Sequence, residues 1–564
     1  MLKKTEQNSL VYIVAIFGSL TSLIIAPAIT YDVVNPPKLI MLAVGAFAGL
    51  LSLLKYKVLR KNKFFNKIHV ASLYFLVTSF LVFLASGLDK SSQFFGIQGR
   101  NTGLLTYVSL LLILLTAAHG VDKINLRTLL KFFLITSFIS TFYGLMQVFK
   151  LDPIPWEQPD GWVASFYANP NFFSAFTGIA TGILFGLLFK SSIKILTKIL
   201  IGFGIAINMY LLKETLAYQG PAVLLIMVAI IMFFNLRNIA KLRTLSYVYL
   251  TGIGIAVIYV GLAILKVLPG GSVLNKPSLT ARVDFWRTAV EIFKENPILG
   301  VGFDGYRDYE GRNRDLASTF NINNLDTTDA SHNVFLDFAV NGGILLLSAY
   351  VILLLLTLNS VISVMKRNAK IEANFAIIVA SWVGYLAQSV ISINHLGVAI
   401  WGWIFSGAII GYDIYESQTV TEEISNKGGR QASVKVSIKG KFPLAAFAGG
   451  IVGLLLALPF YQASSDMWQA FRVKDAVALE AAAKKWPRDV IIMTIAAKNI
   501  YDAGRVQEAI NLLNQAHEQS PETVYPLKLL YDLTPGSDPT KPAIKSKIDA
   551  LDPFYFEILQ RSKS

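Results

Sequence analysis

Long apolar runs separated by short polar connections dominate the chain, and this pattern predicts a bundle of transmembrane helices. A helix that crosses the hydrocarbon core needs about 20 mostly apolar residues, and thirteen segments come close to that length. We therefore predict an all-α fold, a polytopic transmembrane helical bundle of about 12–13 spans. The predicted spans are 10–29, 39–54, 70–86, 104–119, 130–149, 172–189, 195–212, 222–235, 245–266, 334–358, 373–392, 398–412 and 443–460.

Basic residues are concentrated in every second connection, from Lys3 and Lys4 before the first span to the run between Lys427 and Lys441. Connections rich in lysine and arginine stay in the cytoplasm, so we predict a cytoplasmic amino terminus and, after thirteen spans, an outside carboxyl end. The protein is accordingly expected in the cytoplasmic (inner) membrane. This distribution also explains the net charge of +15 by membrane orientation, and nucleic acid is not expected as a partner.

One connection is much longer and more polar than the others, and the predicted orientation places it on the outer face. It covers residues 267–333, and irregular polar backbone of this kind cannot face lipid. The chain then divides into a membrane domain over 1–412 that includes this loop, a cytoplasmic linker over 413–442, a last span over 443–460 and an extracytoplasmic domain over 461–564. The titratable residues of the loop that matter below are Arg282, Arg287, Arg307, Arg312, Arg314 and His332.

The last part of the chain has the composition of a soluble helical domain. Trp486-Pro487 and Ser520-Pro521 are separated by about 34 residues, the period of tetratricopeptide repeats. Two interpretations stay open: a helical cap packed on the membrane domain, or a TPR-like concave surface that binds a protein partner.

Composition limits the chemistry. Cysteine is absent, so disulfides, zinc–thiolate sites and cysteine nucleophiles are excluded. We see no histidine-rich spacing and no paired aspartates in the outer loops, so neither a metal nor a cofactor is expected. The acidic residues of the long loop are interpreted as partners of its arginines.

Arg282 and His332 are the sharpest candidates for catalysis. Arginine binds phosphate oxygens with a fork of donors, and a neutral histidine can take a proton from a hydroxyl. Together they suit the attack of an acceptor hydroxyl on a donor whose leaving group is a lipid diphosphate. The plainer alternative is that the arginines bind lipid headgroups. His395 also lies on the predicted outer side, but it has no arginine near it in the sequence.

Turn-forming clusters close the other outer connections. They contain Lys38, Arg100, Asn169 with Asn171, and Gln219. Each cluster alone is typical of ordinary loops, and their shared position on the side of the arginine loop is what favours a functional interpretation.

Taken as an ordered set, these motifs resemble the superfamily of O-antigen ligases and polymerases over about residues 10–412. The motifs that carry the resemblance are Pro37-Lys38, Phe95-Gly96 to Gly103, Asn169-Pro170-Asn171, Arg282-x3-Trp286, Asn296-Pro297-Ile298-Leu299-Gly300-Val301-Gly302, His332-Asn333 and Gly343.

The resemblance implies a GT-C-like membrane glycosyltransferase. Such proteins take a glycan from an undecaprenyl diphosphate carrier at the outer face and pass it to a saccharide, lipid or protein acceptor, with no cofactor and no metal. By position, Arg282 would bind the diphosphate and His332 would activate the acceptor. The substrate-binding residues that the resemblance implies are Lys38, Arg100, Asn169, Asn171, Gln219, Arg287, Gly300, Gly302 and Asn333.

Two departures from the family pattern bear on function. Tyr218-Gln219-Gly220 stands where members often have Ser-Arg-Gly, so Arg100 is our candidate for the second diphosphate-binding arginine. Ile344 follows Gly343 where typical ligases have Thr-Gly, and this weakens a lipid A core ligase more than the superfamily. Ligase, polymerase and protein-glycosylating activities stay open. The alternative from another class is a carrier or flippase for a lipid-linked glycan, and no repeated halves support it.

Overall fold

A computed structural model describes residues 2–58, 65–154, 161–265, 267–269, 277–316, 328–425 and 443–562. Within these ranges the protein is built from α-helices, with two 3₁₀ turns and no β-strand. The helices are α1 (Lys4–Leu23), α2 (Asn35–Lys55), α3 (Asn66–Ala85), α4 (Lys90–Phe95), α5 (Leu104–Gly120), α6 (Leu126–Val148), α7 (Pro170–Leu188), α8 (Ile195–Glu214), α9 (Gln219–Asn238), α10 (Arg243–Ile264), α11 (Pro277–Glu295), α12 (Tyr306–Asn313), α13 (Val334–Arg367), α14 (Ala373–Ser389), α15 (Leu396–Ser425), α16 (Leu444–Val473), α17 (Ala476–Lys484), α18 (Val490–Asp502), α19 (Val506–Gln519), α20 (Tyr525–Leu533), α21 (Lys541–Leu551) and α22 (Tyr555–Ser562).

Each of the thirteen predicted spans coincides with a helix, so the polytopic helical bundle is confirmed. In the described part of the chain, ten helices are long and apolar enough to cross a membrane. Of the three others, α5 and α14 have 17 residues each and α1 has 20, and all three pack against the spanning helices. The predicted linker 413–442 begins inside α15, which continues to Ser425, and residues 426–442 lie outside the described ranges.

Small residues let the spanning helices pack closely around α15, whose side chains between Val398 and Tyr412 are almost all buried. The last span, α16, lies along α2 in the same way. A Cβ atom added to Gly449 would lie 2.1 Å from the Phe47 carbonyl oxygen, and one on Gly453 would lie 2.3 Å from that of Ala43. In lipid, close backbone approach of this kind replaces the hydrophobic drive for helix association.

The connections between helices alternate between the two ends of the bundle. At the end that we call the loop end, the Asn35 amide donates to the Gly99 carbonyl at 3.1 Å. At the opposite end, the Lys190 ammonium donates to the Asn374 side chain at 2.6 Å. The basic connections of the charge analysis thus share one end, and the motifs of the family resemblance share the other.

The long loop contains two helices that the apolar pattern did not indicate, α11 and α12. Ala289 and Ile292 of α11 pack with Val301, Tyr306 and Val340 in a small apolar core. This core fixes α11 against the first part of α13.

The tail consists of short helices that pack around their own apolar core. The tetratricopeptide interpretation stays a prediction. The last predicted span ends at residue 460, whereas α16 continues through Pro459 to Val473 and leads directly into these helices.

Buried polar contacts join the tail to the long loop. Asp552, at the end of α21, receives two hydrogen bonds of 2.8 Å from Arg314, which follows α12. Lys528 of α20 lies 3.0 Å from the same carboxylate, and the Thr523 hydroxyl donates to Asp308 of α12 at 2.7 Å. The tail is therefore docked on the loop end of the bundle.

Candidate active site

Arg282 reaches the centre of the loop end from the first half of α11. Its Nε donates to the carbonyl oxygen of Ile391 at 2.9 Å. The same carbonyl accepts a longer hydrogen bond, 3.5 Å, from the Gln219 amide at the start of α9. Ile391 lies in the turn between α14 and α15, so this one peptide joins three parts of the chain.

His332 is held on a turn that strains the backbone. Its φ angle is +54°, a conformation that non-glycine residues rarely adopt and that is enriched at functional sites. The residues on both sides are fixed: the Ser331 hydroxyl donates to Asp337 at 2.6 Å, and the Asn333 side chain caps α13 by accepting from Phe335 N at 3.0 Å. The strain is therefore maintained by hydrogen bonds on either side.

The ring of His332 stacks on Phe285 of α11, with 5.6 Å between the ring centroids. Phe285 is three residues after Arg282, so both side chains leave the same face of α11. The sequence prediction that Arg282 and His332 share one site is consistent with this arrangement.

Burial and two guanidinium groups control the protonation of His332. Burial is the largest cause, Arg100 and Arg282 act in the same direction and Asp329 opposes them; together they lower the pKa of its imidazole to about 3. His332 is consequently neutral at physiological pH and can accept a proton.

Arg100 comes to His332 from the connection before α5. Its guanidinium forms an ion pair with Asp329, three residues before the histidine, and this carboxylate raises the pKa of Arg100 against the effect of burial. Its Nε has no hydrogen-bond partner in the described part of the chain. Arg100 therefore has donor capacity left for a ligand beside the base.

The connection that carries Arg100 is held in place by the residues of the long loop that directly follow Gly302. The carboxylate of Asp304 accepts from Ile97 N at 3.0 Å and from Thr102 N at 3.1 Å. Phe303 and Gln93 exchange two hydrogen bonds, of 2.6 and 2.8 Å. These bonds set the position of Arg100 relative to the loop.

Gly300 and Gly302, expected to bind substrate, have a packing role in the structure. A Cβ atom on Gly300 would lie 2.3 Å from the Val340 carbonyl, and one on Gly302 would lie 2.2 Å from the Ser86 hydroxyl. Val301 N and Gly302 N donate to Val340 and Asn341 carbonyls, each at 2.9 Å. The motif pairs with a break in α13, where Gly342 and Gly343 leave helical geometry, and thereby positions the His332 turn.

Other predicted substrate-binding residues also have structural partners. Asn169 caps α7 by accepting from Asn171 N at 2.8 Å, and Asn333 caps α13. Arg287 is different, since its side chain is 61% exposed and lies 3.4 Å from Asp284 of its own helix. These residues frame the site or lie beside it.

His395 is the residue that sequence reasoning passed over. It is buried to 6% exposure at the end of the turn that Arg282 and Gln219 contact. Lys38 and Arg100 both act electrostatically on its ring. No linear signal marks it, because its basic neighbours come from segments far away in the sequence.

No cluster of three or more histidine, aspartate or glutamate side chains suited to a metal ion is present in the described ranges. Residues 174–351 match the family model described as O-antigen ligase. This interval begins in α7, contains Gln219, Arg282 and His332, and ends after the break in α13. No curated protein matches the chain.

Proposed function

We propose, from the membership of residues 174–351 in the O-antigen ligase and polymerase superfamily, that this multi-pass membrane protein is a glycosyltransferase of GT-C-like type. Its donor would be a glycan on a polyprenyl diphosphate, such as undecaprenyl diphosphate. Its acceptor would be a hydroxyl of a saccharide, lipid or protein. The observation that carries the proposal is a buried histidine, His332, that stacks on Phe285 three residues from Arg282 and whose pKa is lowered by burial and by Arg100 and Arg282.

The proposed reaction is a single displacement. His332 takes the proton of the acceptor hydroxyl while the hydroxyl oxygen bonds to the anomeric carbon of the donor sugar. The bond between that carbon and the diphosphate oxygen breaks, and its electron pair leaves with the polyprenyl diphosphate. Arg282 and Arg100 stabilise the charge that develops on this leaving group, which in enzymes is often the largest catalytic contribution.

The geometry of a membrane supports placing this chemistry at the outer leaflet. The loop end would face outward and the basic connections would face the cytoplasm, as the positive-inside rule predicts. The polyprenyl tail would stay in the bilayer, and the tail domain would lie outside beside the long loop.

The test is transfer by purified protein in lipid nanodiscs, supplied with a glycan on undecaprenyl diphosphate and a panel of acceptors. We expect His332→Ala to lower the release of undecaprenyl diphosphate by at least about 100-fold, since general-base catalysis contributes about 10²–10⁴. Arg282→Ala should lower it by about 10²–10³, the usual loss for one donor to a developing negative charge. Lys294→Ala is the control for Arg282, because Lys294 is on the same helix but 61% exposed and paired with Glu291.

The products separate the alternatives. Long glycan products indicate a polymerase, and a single transferred glycan indicates a ligase. Transfer at the wild-type rate in either variant would remove that residue from the mechanism. The flippase alternative would be favoured if the lipid-linked glycan moves between leaflets and no undecaprenyl diphosphate is released with any acceptor.

A further inference from the structure

The turn between α14 and α15 brings a second histidine to the site. His395 is 6% exposed, and neither of its ring nitrogens has a hydrogen-bond partner among the described residues. Its ring is packed between Phe172 at 4.6 Å and Tyr167 at 5.5 Å. Buried polar groups without partners are rare and need an explanation, and a ligand atom that completes the pair is one.

A buried lysine lies near the same Tyr167 ring. Lys38 is fully buried, and its ammonium is 5.6 Å from the centroid of the Tyr167 ring. It donates to the carbonyls of Thr21 at 3.0 Å and Ser22 at 2.6 Å, at the carboxyl end of α1. No carboxylate in the described part of the chain forms an ion pair with it. One of its three N–H groups is left for a ligand.

Arg100 and Lys38 differ in their partners. Arg100 has Asp329 as its ion-pair partner, whereas the hydrogen bonds of Lys38 within the described residues go to carbonyl oxygens, and Asp32 acts on it electrostatically without forming an ion pair. A buried cation without an anion in contact is costly, and a bound anion would lower that cost. Both Lys38 and Arg100 lie close enough to His395 to act on it electrostatically.

The two parts of the site are linked by one peptide. The Ile391 carbonyl accepts from Arg282 at 2.9 Å, and His395 is four residues further along the same turn. Arg282 and His395 are therefore tied to the same short turn between α14 and α15.

We infer that His395 and Lys38 form the inner wall of the subsite for the donor diphosphate, with Arg282 and Arg100 as its outer wall. This inference rests on the proposed function and goes beyond it by adding a residue outside the family match. His395 donates one N–H to a diphosphate oxygen, and Lys38 supplies a nearby positive charge. The imidazole transfers no proton, so its role is to bind and orient the leaving group.

The test compares the binding of two probes, undecaprenyl diphosphate and undecaprenol, to wild type and variants in nanodiscs. We expect His395→Ala to weaken the binding of undecaprenyl diphosphate by about tenfold, as for the loss of one hydrogen bond to a charged group. The binding of undecaprenol should not change. His395→Gln, which keeps an N–H donor, should recover most of the loss. His517→Ala, a histidine of the tail domain, is the matched control and should bind both probes as wild type does.

Each other outcome has a definite meaning. If His395→Ala and His395→Gln bind undecaprenyl diphosphate as wild type does, the inference is wrong. A raised KM for the acceptor in these variants would then indicate that His395 binds the acceptor. If wild type neither binds undecaprenyl diphosphate nor releases it from a donor, the proposed function itself fails. Should His395→Ala not fold, His395→Phe takes its place, because it keeps a planar ring and removes both ring nitrogens; it should weaken the binding of undecaprenyl diphosphate as His395→Ala would, and wild-type binding by His395→Phe would refute the inference.

Discussion

A histidine that must act as a base has to be neutral, and the surroundings of His332 determine over which pH range it is. Burial comes first and lowers its pKa to about 3, with Arg100 and Arg282 acting in the same direction. A lowered pKa extends the neutral form to lower pH. The acid limb of kcat/KM, which reports the free enzyme, should therefore lie well below the value of about 6.5 for a free histidine.

Replacement of Arg100 tests whether the acid limb of kcat/KM reports His332, because it should shift that limb. Arg100→Gln removes a cation that disfavours the imidazolium, and it frees Asp329, which favours the imidazolium. Both effects raise the pKa of His332, so the acid limb of kcat/KM should shift upward relative to wild type. The pH profile is measured from about pH 9 down to the lowest pH at which both proteins stay folded, because the pKa of His332 in wild type is about 3. A limb that stays in place in Arg100→Gln would mean that another group titrates.

At the scale of elements, the break in α13 sets the position of the His332 turn. Gly342 and Gly343 leave helical geometry, and Gly343 adopts φ +57° and ψ −159°, a conformation open essentially to glycine. A Cβ atom on Gly343 would lie 2.3 Å from the backbone of Ile298. The segment 297–302 can therefore pack this closely against α13 only where the helix is broken at Gly342 and Gly343.

We predict that Gly343→Ala separates the motif from α13 and lowers glycan transfer more than it lowers helix content. The strained backbone alone costs about 1–3 kcal/mol, and the steric overlap adds to it. Gly254→Ala is the control, because nothing lies within 4 Å of its added Cβ on α10. Transfer rate and the thermal unfolding midpoint are measured together. Normal transfer by Gly343→Ala would show that the break does not position His332.

The elements also show what the sequence could reveal. Apolar runs predicted every span, because burial in lipid leaves a continuous composition signal. The same pattern did not predict helix α11, because its apolar side is only a narrow stripe around Ala289 and Ile292. Arg282 and His332 became candidates because the family motif spans them. His395 was set aside because its basic neighbours Lys38 and Arg100 are brought near it only by the fold.

For the whole molecule, the main question is how the tail affects chemistry at the loop end. Asp552 is fully buried and holds both Arg314 and Lys528. Removing one member of a buried ion pair costs about 3–5 kcal/mol, because the remaining charges lose their partner. Asp552→Asn should therefore loosen the tail from α12 and, through the loop, slow glycan transfer.

The control for this prediction lies three residues earlier. Asp549 pairs with Lys545 in an exposed i,i+4 contact, and such pairs contribute only about 0.3–0.5 kcal/mol, so Asp549→Asn should behave as wild type. Hydrogen exchange of residues 306–314 and glycan release are followed in both variants. Faster exchange together with slower release in Asp552→Asn alone would make the tail a support of the catalytic loop. Unchanged exchange and release would leave the tail free for the other role considered for it, the binding of a protein partner.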